Sequence, residues 1–272
     1  MTQGLNPKKI RTSHLKEFKD SGTKFSCLTS YDFLTAGIFD EAGIEVILVG
    51  DSAADTTLGY GSTLAVTVDE LISLARAVVA GTKRALVVVD MPFGSYESGA
   101  EVALTSAIKM IKNSGAAAVK LEGGVRSTRQ IEALVEAGIP VMGHIGFTPQ
   151  SVNTLGGFKV QGRGEGAEQL IADARAVQDA GAFAVVLEMV PAELARQISE
   201  SLSIPTIGIG AGPHTDSQIL VWTDFAGLSD GKPRKFVKQY LTLREDLLLA
   251  AKSYRADVMG GQFPAAEHSF EG

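Results

Sequence analysis

The sequence predicts an α/β protein whose 272 residues form one (β/α)8 TIM barrel. Two observations lead to this fold class. Short apolar runs, typical of strands buried on both faces, alternate with amphipathic helical segments about eight times along the chain. No glycine-rich nucleotide fingerprint follows the first of these runs, which favours a closed barrel over an open doubly wound sheet. We therefore expect a single domain over residues 1–272.

Glycine marks the joints between the predicted helices and strands. Five helical segments end in a glycine that an apolar run follows at once, and a glycine there can close a helix in the left-handed conformation without a clash from a Cβ. These glycines are Gly43, Gly81, Gly115, Gly138 and Gly181. The predicted strands cover residues 25–29, 46–49, 86–90, 117–121, 140–144, 184–188 and 206–209, with a weaker eighth near 220–222.

Two segments depart from this alternation. The connection from Gly146 to Gly166 is rich in glycine and longer than a barrel needs, which is typical of a functional loop. From about Arg234 the sequence predicts a C-terminal helix that runs through Tyr254 and is followed by a polar tail. This extension is expected to pack against a neighbouring molecule or across the barrel rim, or to end in a disordered tail.

Composition and charge indicate a small-molecule enzyme. The chain has 25 basic and 31 acidic side chains without a dense Lys/Arg block, which argues against nucleic acid or an anionic membrane as the main partner. The first ten residues lack the apolar core of a secretory signal, and no stretch reaches about 18 apolar residues, so we expect a cytoplasmic protein. The single cysteine, Cys27, excludes an internal disulfide and is expected to be a buried core residue.

Three of the apolar runs stop on an acid, and this recurrence predicts a metal site. The acids are Asp51, Asp90 and Glu122. Because parallel strands end at one edge of the sheet, these carboxylates should meet there, where a cation would offset their mutual repulsion. Oxygen-only ligands favour Mg²⁺. The alternative is that each acid caps the following helix or pairs with a nearby base.

A lysine precedes the third acid on the same strand. Residues two apart share a face of a strand, so Lys120 and Glu122 should both point toward the barrel axis. Lys120, together with Ser52, could bind the carboxylate of a 2-oxo acid whose other oxygens contact the ion. A structural ion pair of Lys120 with Glu122 or Asp90 is the competing interpretation.

Enolate formation from an oxo acid also requires a base. Glu188 ends the apolar run 184–188, where flanking Val and Met side chains should raise its pKa, and it is the preferred proton acceptor. His144, at the end of another predicted strand, is the rival base and a candidate substrate contact. The glycine-rich run Gly208–Gly212 could bind a phosphate, but simple turn geometry explains it at least as well.

At these residues the chain resembles the ketopantoate hydroxymethyltransferase family, within the wider phosphoenolpyruvate-mutase-like barrel group. The likeness extends over nearly the whole chain, and the order and spacing of its short motifs make it specific. The motifs include Thr29-Ser30-Tyr31-Asp32, Val49-Gly50-Asp51-Ser52, Val119-Lys120-Leu121-Glu122-Gly123-Gly124, Gly143-His144-Ile145-Gly146, Thr148-Pro149-Gln150-Ser151 and Lys159-Val160-Gln161-Gly162-Arg163.

The resemblance implies a reaction and a set of roles. It implies that Asp51, Asp90 and Glu122 surround Mg²⁺, that Ser52 and Lys120 contact the substrate 3-methyl-2-oxobutanoate, and that Glu188 is the base. It further implies 5,10-methylenetetrahydrofolate as the one-carbon donor and a ring-based homo-oligomer, usually a decamer. Two alternatives stay open: an oxo-acid C–C lyase of the same barrel group, and a non-catalytic barrel that binds a phosphate metabolite.

Overall fold

The computed structural model of the chain describes residues 8–229 and 231–272. They divide into two units, one ending at Val221 and one beginning at Trp222. Of the first ten residues, expected to lack a secretory signal, residues 1–7 lie outside the described part. Among the residues that are described, no helix combines the length and hydropathy needed to cross a membrane.

The first unit contains a closed barrel of eight parallel strands, which confirms the predicted fold class. Each strand pairs with the next along the chain, and the eighth pairs with the first. The strands are β1 (Phe25–Thr29), β2 (Val46–Val49), β3 (Leu86–Asp90), β4 (Ala118–Glu122), β5 (Val141–Gly146), β6 (Ala184–Glu188), β7 (Thr206–Ile209) and β8 (Ser217–Leu220). Five of the predicted strands match residue for residue.

Nine α-helices are described in this unit, most of them connecting consecutive strands. They are α1 (Thr12–Asp20), α2 (Phe33–Glu41), α3 (Ala53–Thr56), α4 (Val68–Gly81), α5 (Ala100–Ser114), α6 (Thr128–Glu136), α7 (Val152–Leu155), α8 (Gly166–Asp179) and α9 (Ala192–Ser201). The long connection after β5 carries a 3-10 turn, Pro149–Ser151, and the short helix α7 before α8 begins. This loop lies at the carboxyl end of the barrel.

Helix α1 lies against the opposite, amino-terminal end of the barrel. Its Leu15 and Phe18 are buried in the same apolar cluster as the inward-facing strand residues, and the rings of Phe18 and Phe25 stack at 5.8 Å. Cys27 belongs to this cluster, as expected for a core residue. Burial of these side chains stabilises the amino-terminal half of the barrel. The polar residues lie at its carboxyl end.

Two local predictions for the first unit are wrong. The eighth strand begins at Ser217 and ends at Leu220 rather than lying at 220–222, because its polar, alternating sequence lacks the apolar run that marks the other strands. Gly81 is the last residue of α4 and does not take a positive φ, unlike the other four joint glycines. A Cβ at Gly81 would collide with the backbone of Phe33, so this glycine permits close packing of α2 and α4.

The second unit contains a short helix, α10 (Trp222–Phe225), and a long helix, α11 (Leu243–Met259). The predicted helix start near Arg234 is therefore wrong by nine residues. Backbone hydrogen bonds from Tyr240 to Phe225 and from Leu243 to Ala226 hold the preceding segment beside α10. Glu245 and Asp246 in the first turn of α11 favour a helix start at this point.

Candidate active site

The carboxyl ends of β3 to β6 bring charged side chains together inside the barrel. Their strand register places Asp90 beside Lys120 and Glu122 beside His144. Glu188 ends the next strand, β6, and all five side chains are at least nine-tenths buried. Because alternate residues of a strand face the axis, each charged residue continues an inward-facing apolar row. The structure thus gathers residues that are distant in the sequence.

Lys120 forms a buried ion pair with Asp90. The distance between Lys120 Nζ and Asp90 Oδ1 is 2.8 Å, and Nζ also lies 3.2 Å from His144 Nδ1. Burial alone would lower the pKa of Lys120, but the negative charges of Asp90, Glu122 and Asp51 outweigh it and raise the pKa. The lysine is therefore charged at neutral pH. The ion pair of Lys120 with Asp90, which the sequence offered as an alternative to substrate binding, is present.

His144 lies between two glutamates. Its Nδ1 is 3.4 Å from Glu122 Oε1, and its Nε2 is 3.2 Å from Glu188 Oε2. Burial and the charge of Lys120 act to lower the pKa of His144, but hydrogen bonds to Glu122 and Glu188 outweigh them and raise it to about 9. The imidazole can therefore hold a proton next to the carboxylate of Glu188 at neutral pH.

The first two acids of the predicted trio are in direct contact. The Asp51 backbone N–H donates to Asp90 Oδ2 at 2.9 Å. Burial, followed by the negative charges of Asp90 and Glu122, raises the pKa of Asp51 well above its ordinary value. Burial also raises the pKa of Asp90, although the charge of Lys120 opposes the shift. None of these contacts is a helix cap, which disfavours the capping alternative for Asp51 and Asp90.

The donor set fits Mg²⁺ in charge and in ligand type. Four buried acids lie here: Asp51, Asp90 and Glu122, whose charges act on Lys120, and Glu188, which contacts His144. Their ligand atoms are all oxygens. Asp90 Oδ1 and Glu122 Oε1 are buried, and their partners in the described chain are the charged side chains of Lys120 and His144. Over residues 8–229 and 231–272, no three His, Cys, Asp or Glu side chains form a ready coordination shell. Ion pairs and hydrogen bonds from protein side chains hold these acids in place.

Ser52 lies at the rim of this cluster. Its hydroxyl is 2.7 Å from the hydroxyl of the buried Tyr31, which fixes its position next to Asp51. The glycine-rich run Gly208–Gly212, which begins inside β7, is different, because two of its glycines lie close to other protein atoms. A Cβ at Gly208 would approach Thr215 and one at Gly212 would collide with Ala192, so turn geometry and close packing explain these glycines.

Sequence reasoning missed two polar residues that touch the acids. Gln150 Nε2 donates to Asp51 Oδ2 at 2.9 Å, and the Tyr96 hydroxyl donates to Gln150 Oε1 at 2.6 Å. Both side chains come from loops and show no periodicity. The only signal for Gln150 was its place in the motif Thr148-Pro149-Gln150-Ser151, and Tyr96 carried none that was used.

A third missed residue is Met189, which follows Glu188. Its φ is 49°, the left-handed region that a side chain rarely adopts. Hydrogen bonds on both sides hold it there: its N–H donates to Ile209 O at 2.8 Å, and its carbonyl accepts from Gln161 N–H at 2.9 Å. Strained backbone at the end of β6 thus fixes the direction in which Glu188 leaves the strand.

Comparison with known proteins identifies the family. A sequence model of ketopantoate hydroxymethyltransferase matches residues 9–266. The chain belongs to the ketopantoate hydroxymethyltransferase family. It is 60% identical over 265 residues to the 3-methyl-2-oxobutanoate hydroxymethyltransferase of Leifsonia xyli, covering 97% of this chain and 96% of that protein. The enzyme of the same name from Mycobacterium tuberculosis is 61% identical over 268 residues, covering 98% and 95%.

Solved structures of more distant proteins share the fold of this ketopantoate hydroxymethyltransferase family member. A phosphoenolpyruvate phosphomutase from Streptomyces platensis superposes with a TM-score of 0.62 at 14% identity, covering 96% of this chain and 92% of that chain. A phosphonopyruvate hydrolase solved with oxalate and Mg²⁺ gives a TM-score of 0.61 at 13% identity, covering 95% and 93%. At this identity the likeness establishes the barrel alone.

Proposed function

We propose that this chain transfers a hydroxymethyl group from 5,10-methylenetetrahydrofolate to 3-methyl-2-oxobutanoate, forming 2-dehydropantoate, in a reaction that depends on Mg²⁺. The observation that carries the proposal is the buried contact between Glu188 and His144, next to Lys120 and three further acids. This set offers a proton acceptor, an anion-binding cation and oxygen ligands within one site. Membership of the ketopantoate hydroxymethyltransferase family supports the same reaction.

Asp51, Asp90 and Glu122 would hold the metal ion. When bound, Mg²⁺ supplies Lewis-acid polarisation of the oxo-acid carbonyl and lowers the cost of negative charge on its oxygen. Burial, together with the negative charges of Asp90 and Glu122, raises the pKa of Asp51, and a divalent cation would offset both effects, which supports this assignment. The ion pair of Lys120 with Asp90 keeps the ammonium group beside the proposed metal ligands, where it can bind the substrate carboxylate.

Glu188 acts as the base in this proposal. Its carboxylate accepts the proton from C3 of the oxo acid, and the resulting carbanionic C3 forms a bond to the one-carbon unit that the donor releases as formaldehyde. His144 Nε2, 3.2 Å from Glu188 Oε2, keeps the carboxylate oriented and can hold a proton for the new hydroxyl group. Water adds to the methylene carbon of the donor, and both C–N bonds break to release tetrahydrofolate and formaldehyde. The formaldehyde oxygen, which came from water, takes a proton when the C–C bond forms and becomes the hydroxyl group of the product.

The one-carbon donor needs space of its own, and a neighbouring cavity supports this part of the proposal. A cavity of about 530 Å³ lies between the carboxyl ends of β4 and β5 and the first turns of α8. It falls in the size range of ligand pockets, roughly 300–1,000 Å³. Its wall includes Gly123, which follows Glu122, and Gly146, which pairs with Glu188 in the sheet. Its polar lining includes Arg126, Gln169 and Asp173.

Self-association is also part of the proposal. Helix α11 carries apolar side chains that are about half exposed or more, including Leu247, Leu248, Tyr254 and Met259. Burial of such a patch against another copy would remove it from water. Light scattering of the full chain should give the mass of a homo-oligomer, and a decamer is the expected state; a monomer at micromolar concentration would contradict this part.

An assay of product formation tests the proposed function. With the oxo acid, 5,10-methylenetetrahydrofolate and Mg²⁺, we expect 2-dehydropantoate, and none after treatment with a chelator until Mg²⁺ is restored. Cleavage of an oxo acid without any folate would instead favour a lyase. Tight binding of a phosphate ester without turnover or metal requirement would favour the non-catalytic barrel. Either result would contradict the proposal.

A further inference from the structure

A closed ring of hydrogen bonds joins Gln150 and Tyr96 to two of the acids. The Glu122 N–H donates to the Tyr96 hydroxyl at 3.2 Å, and that hydroxyl donates to Gln150 Oε1 at 2.6 Å. The Gln150 N–H donates back to Glu122 Oε2 at 3.0 Å. The Gln150 amide also donates to Asp51 Oδ2 at 2.9 Å. One loop residue therefore contacts Asp51 with its side chain and Glu122 with its backbone.

The two residues of the ring come from different connections of the barrel. Tyr96 lies between β3 and α5, and Gln150 lies in the turn Pro149–Ser151 after β5. Both are buried, at 3% and 6% exposure. Such a ring cannot be a surface contact formed by chance, because each buried polar group in it would be costly without its partner.

The orientation of the Gln150 amide is determined by its neighbours. Its Nε2 donates to Met91 O at 3.0 Å as well as to Asp51, while its Oε1 accepts from Tyr96. A flipped amide would lose all three bonds, since it would turn an acceptor toward a carbonyl and a carboxylate. Tyr96 and Met91 thus keep an N–H group directed at Asp51.

We infer that Gln150 is a positioning residue for the cation and oxo-acid site, and that Tyr96 acts through it. Gln150 donates one hydrogen bond to each of two mutually repelling carboxylates and so holds them at fixed places before a ligand arrives. Partners of this kind around metal ligands typically affect affinity by about 10- to 100-fold. The identity of the ligand rests on the proposed function. The choice of Gln150 and Tyr96 rests on the ring of hydrogen bonds alone.

Mg²⁺ binding to the full-length protein tests the inference. Calorimetry should show that Tyr96→Phe and Gln150→Met, which keep the side-chain volume, each raise the Kd for Mg²⁺ by about 10-fold or more. The KM for the oxo acid should rise in both variants, while the KM for the folate donor should stay unchanged. Gln197→Met, at an exposed glutamine of α9, is the matched control and should bind Mg²⁺ like the wild type.

A double variant sharpens the test. If Tyr96 acts through Gln150, Tyr96→Phe combined with Gln150→Met should weaken Mg²⁺ binding no more than Gln150→Met alone. Circular dichroism and thermal unfolding would establish that each variant is folded. If one variant fails to fold, the other decides the question; if both fail, the ring is structural and the positioning role is wrong.

The possible failures are distinguishable. Folded variants that bind Mg²⁺ with the wild-type Kd would overturn the inference and leave the proposed function intact. Equal increases in the KM of the oxo acid and of the donor would also overturn it, because a general structural defect explains them. A wild-type chain that takes up no Mg²⁺ would contradict the proposed function itself, and the inference with it.

Discussion

The acids at the two ends of the barrel differ in their surroundings. At the amino-terminal end, Asp216 accepts hydrogen bonds from Lys19 and Thr206, and Glu45 accepts two from Ser26. Each acid there has donors of its own and no acidic neighbour among these contacts. At the carboxyl end, Asp51, Asp90 and Glu122 lie close to one another and share one lysine, Lys120.

This difference separates stability from function. Acids with several donors stabilise the joints between elements. Protein groups already satisfy their hydrogen bonds, so they need no ligand. Acids that raise one another's pKa store electrostatic repulsion that a cation or a substrate proton can relieve. The same fold therefore carries a stabilising end and a reactive end, as other barrels of this kind do.

The largest effect on stability should come from the ion pair at the reactive end. Lys120→Met removes the only lysine of the cluster and leaves Asp90 buried without it, so the free energy of unfolding should fall by about 3–5 kcal/mol in urea titrations without metal. Lys16→Met is the control, because Lys16 pairs with Asp20 on the exposed face of α1. It should cost about 0–1 kcal/mol. Equal losses in both variants would break the comparison between the two kinds of pair.

A smaller effect is expected at the amino-terminal end from Asp40. Its carboxylate accepts backbone N–H groups of residues 83–85, and although partial burial would raise its pKa, these bonds lower it. Asp40→Ala should therefore reduce the free energy of unfolding by about 1–2 kcal/mol at neutral pH. Because the folded pKa is the lower one, this stabilisation exists above a pH of about 4 and is lost as the pH falls through the folded pKa. A difference that persists undiminished at pH 2 would contradict the assignment.

The fold could be predicted because its signals are local. Buried parallel strands such as Val46–Val49 and Leu86–Asp90 are apolar throughout, and their ends are marked by Gly or an acid. The polar strand β8 and the start of α11 lacked such marks, and Gly81 served a packing contact that no local pattern reveals.

The candidate site was predictable only in part, for a related reason. Asp90, Lys120, Glu122 and Glu188 lie at the ends of apolar strands, and this placement predicted which edge of the sheet they share. Gln150 and Tyr96 reach the site from loops, where position depends on tertiary packing rather than on periodicity. The roles of the site residues stay predictions that the experiments above and below address.

Filling the proposed donor cavity should have the smallest effect. It should weaken binding of the folate donor without affecting the site that exchanges the C3 hydrogen. Leu155→Trp places a larger side chain in the cavity wall, and we expect the KM for the folate donor to rise by about 10-fold, equivalent to roughly 1.4 kcal/mol. Exchange of the C3 hydrogen of the oxo acid, measured without folate, should not change. Leu34→Trp, at an exposed position of α2, is the control. An unchanged KM for the donor would exclude this cavity.

The central claim is that the reactive end removes a proton from the oxo acid through Glu188. Solvent deuterium exchange at C3 of 3-methyl-2-oxobutanoate, followed by NMR with Mg²⁺ present, measures this step directly. Glu188→Gln should slow the exchange by about 10² to 10⁴-fold, whereas Glu132→Gln, at an exposed glutamate of α6, should leave it unchanged. Exchange at the wild-type rate in folded Glu188→Gln would contradict the account.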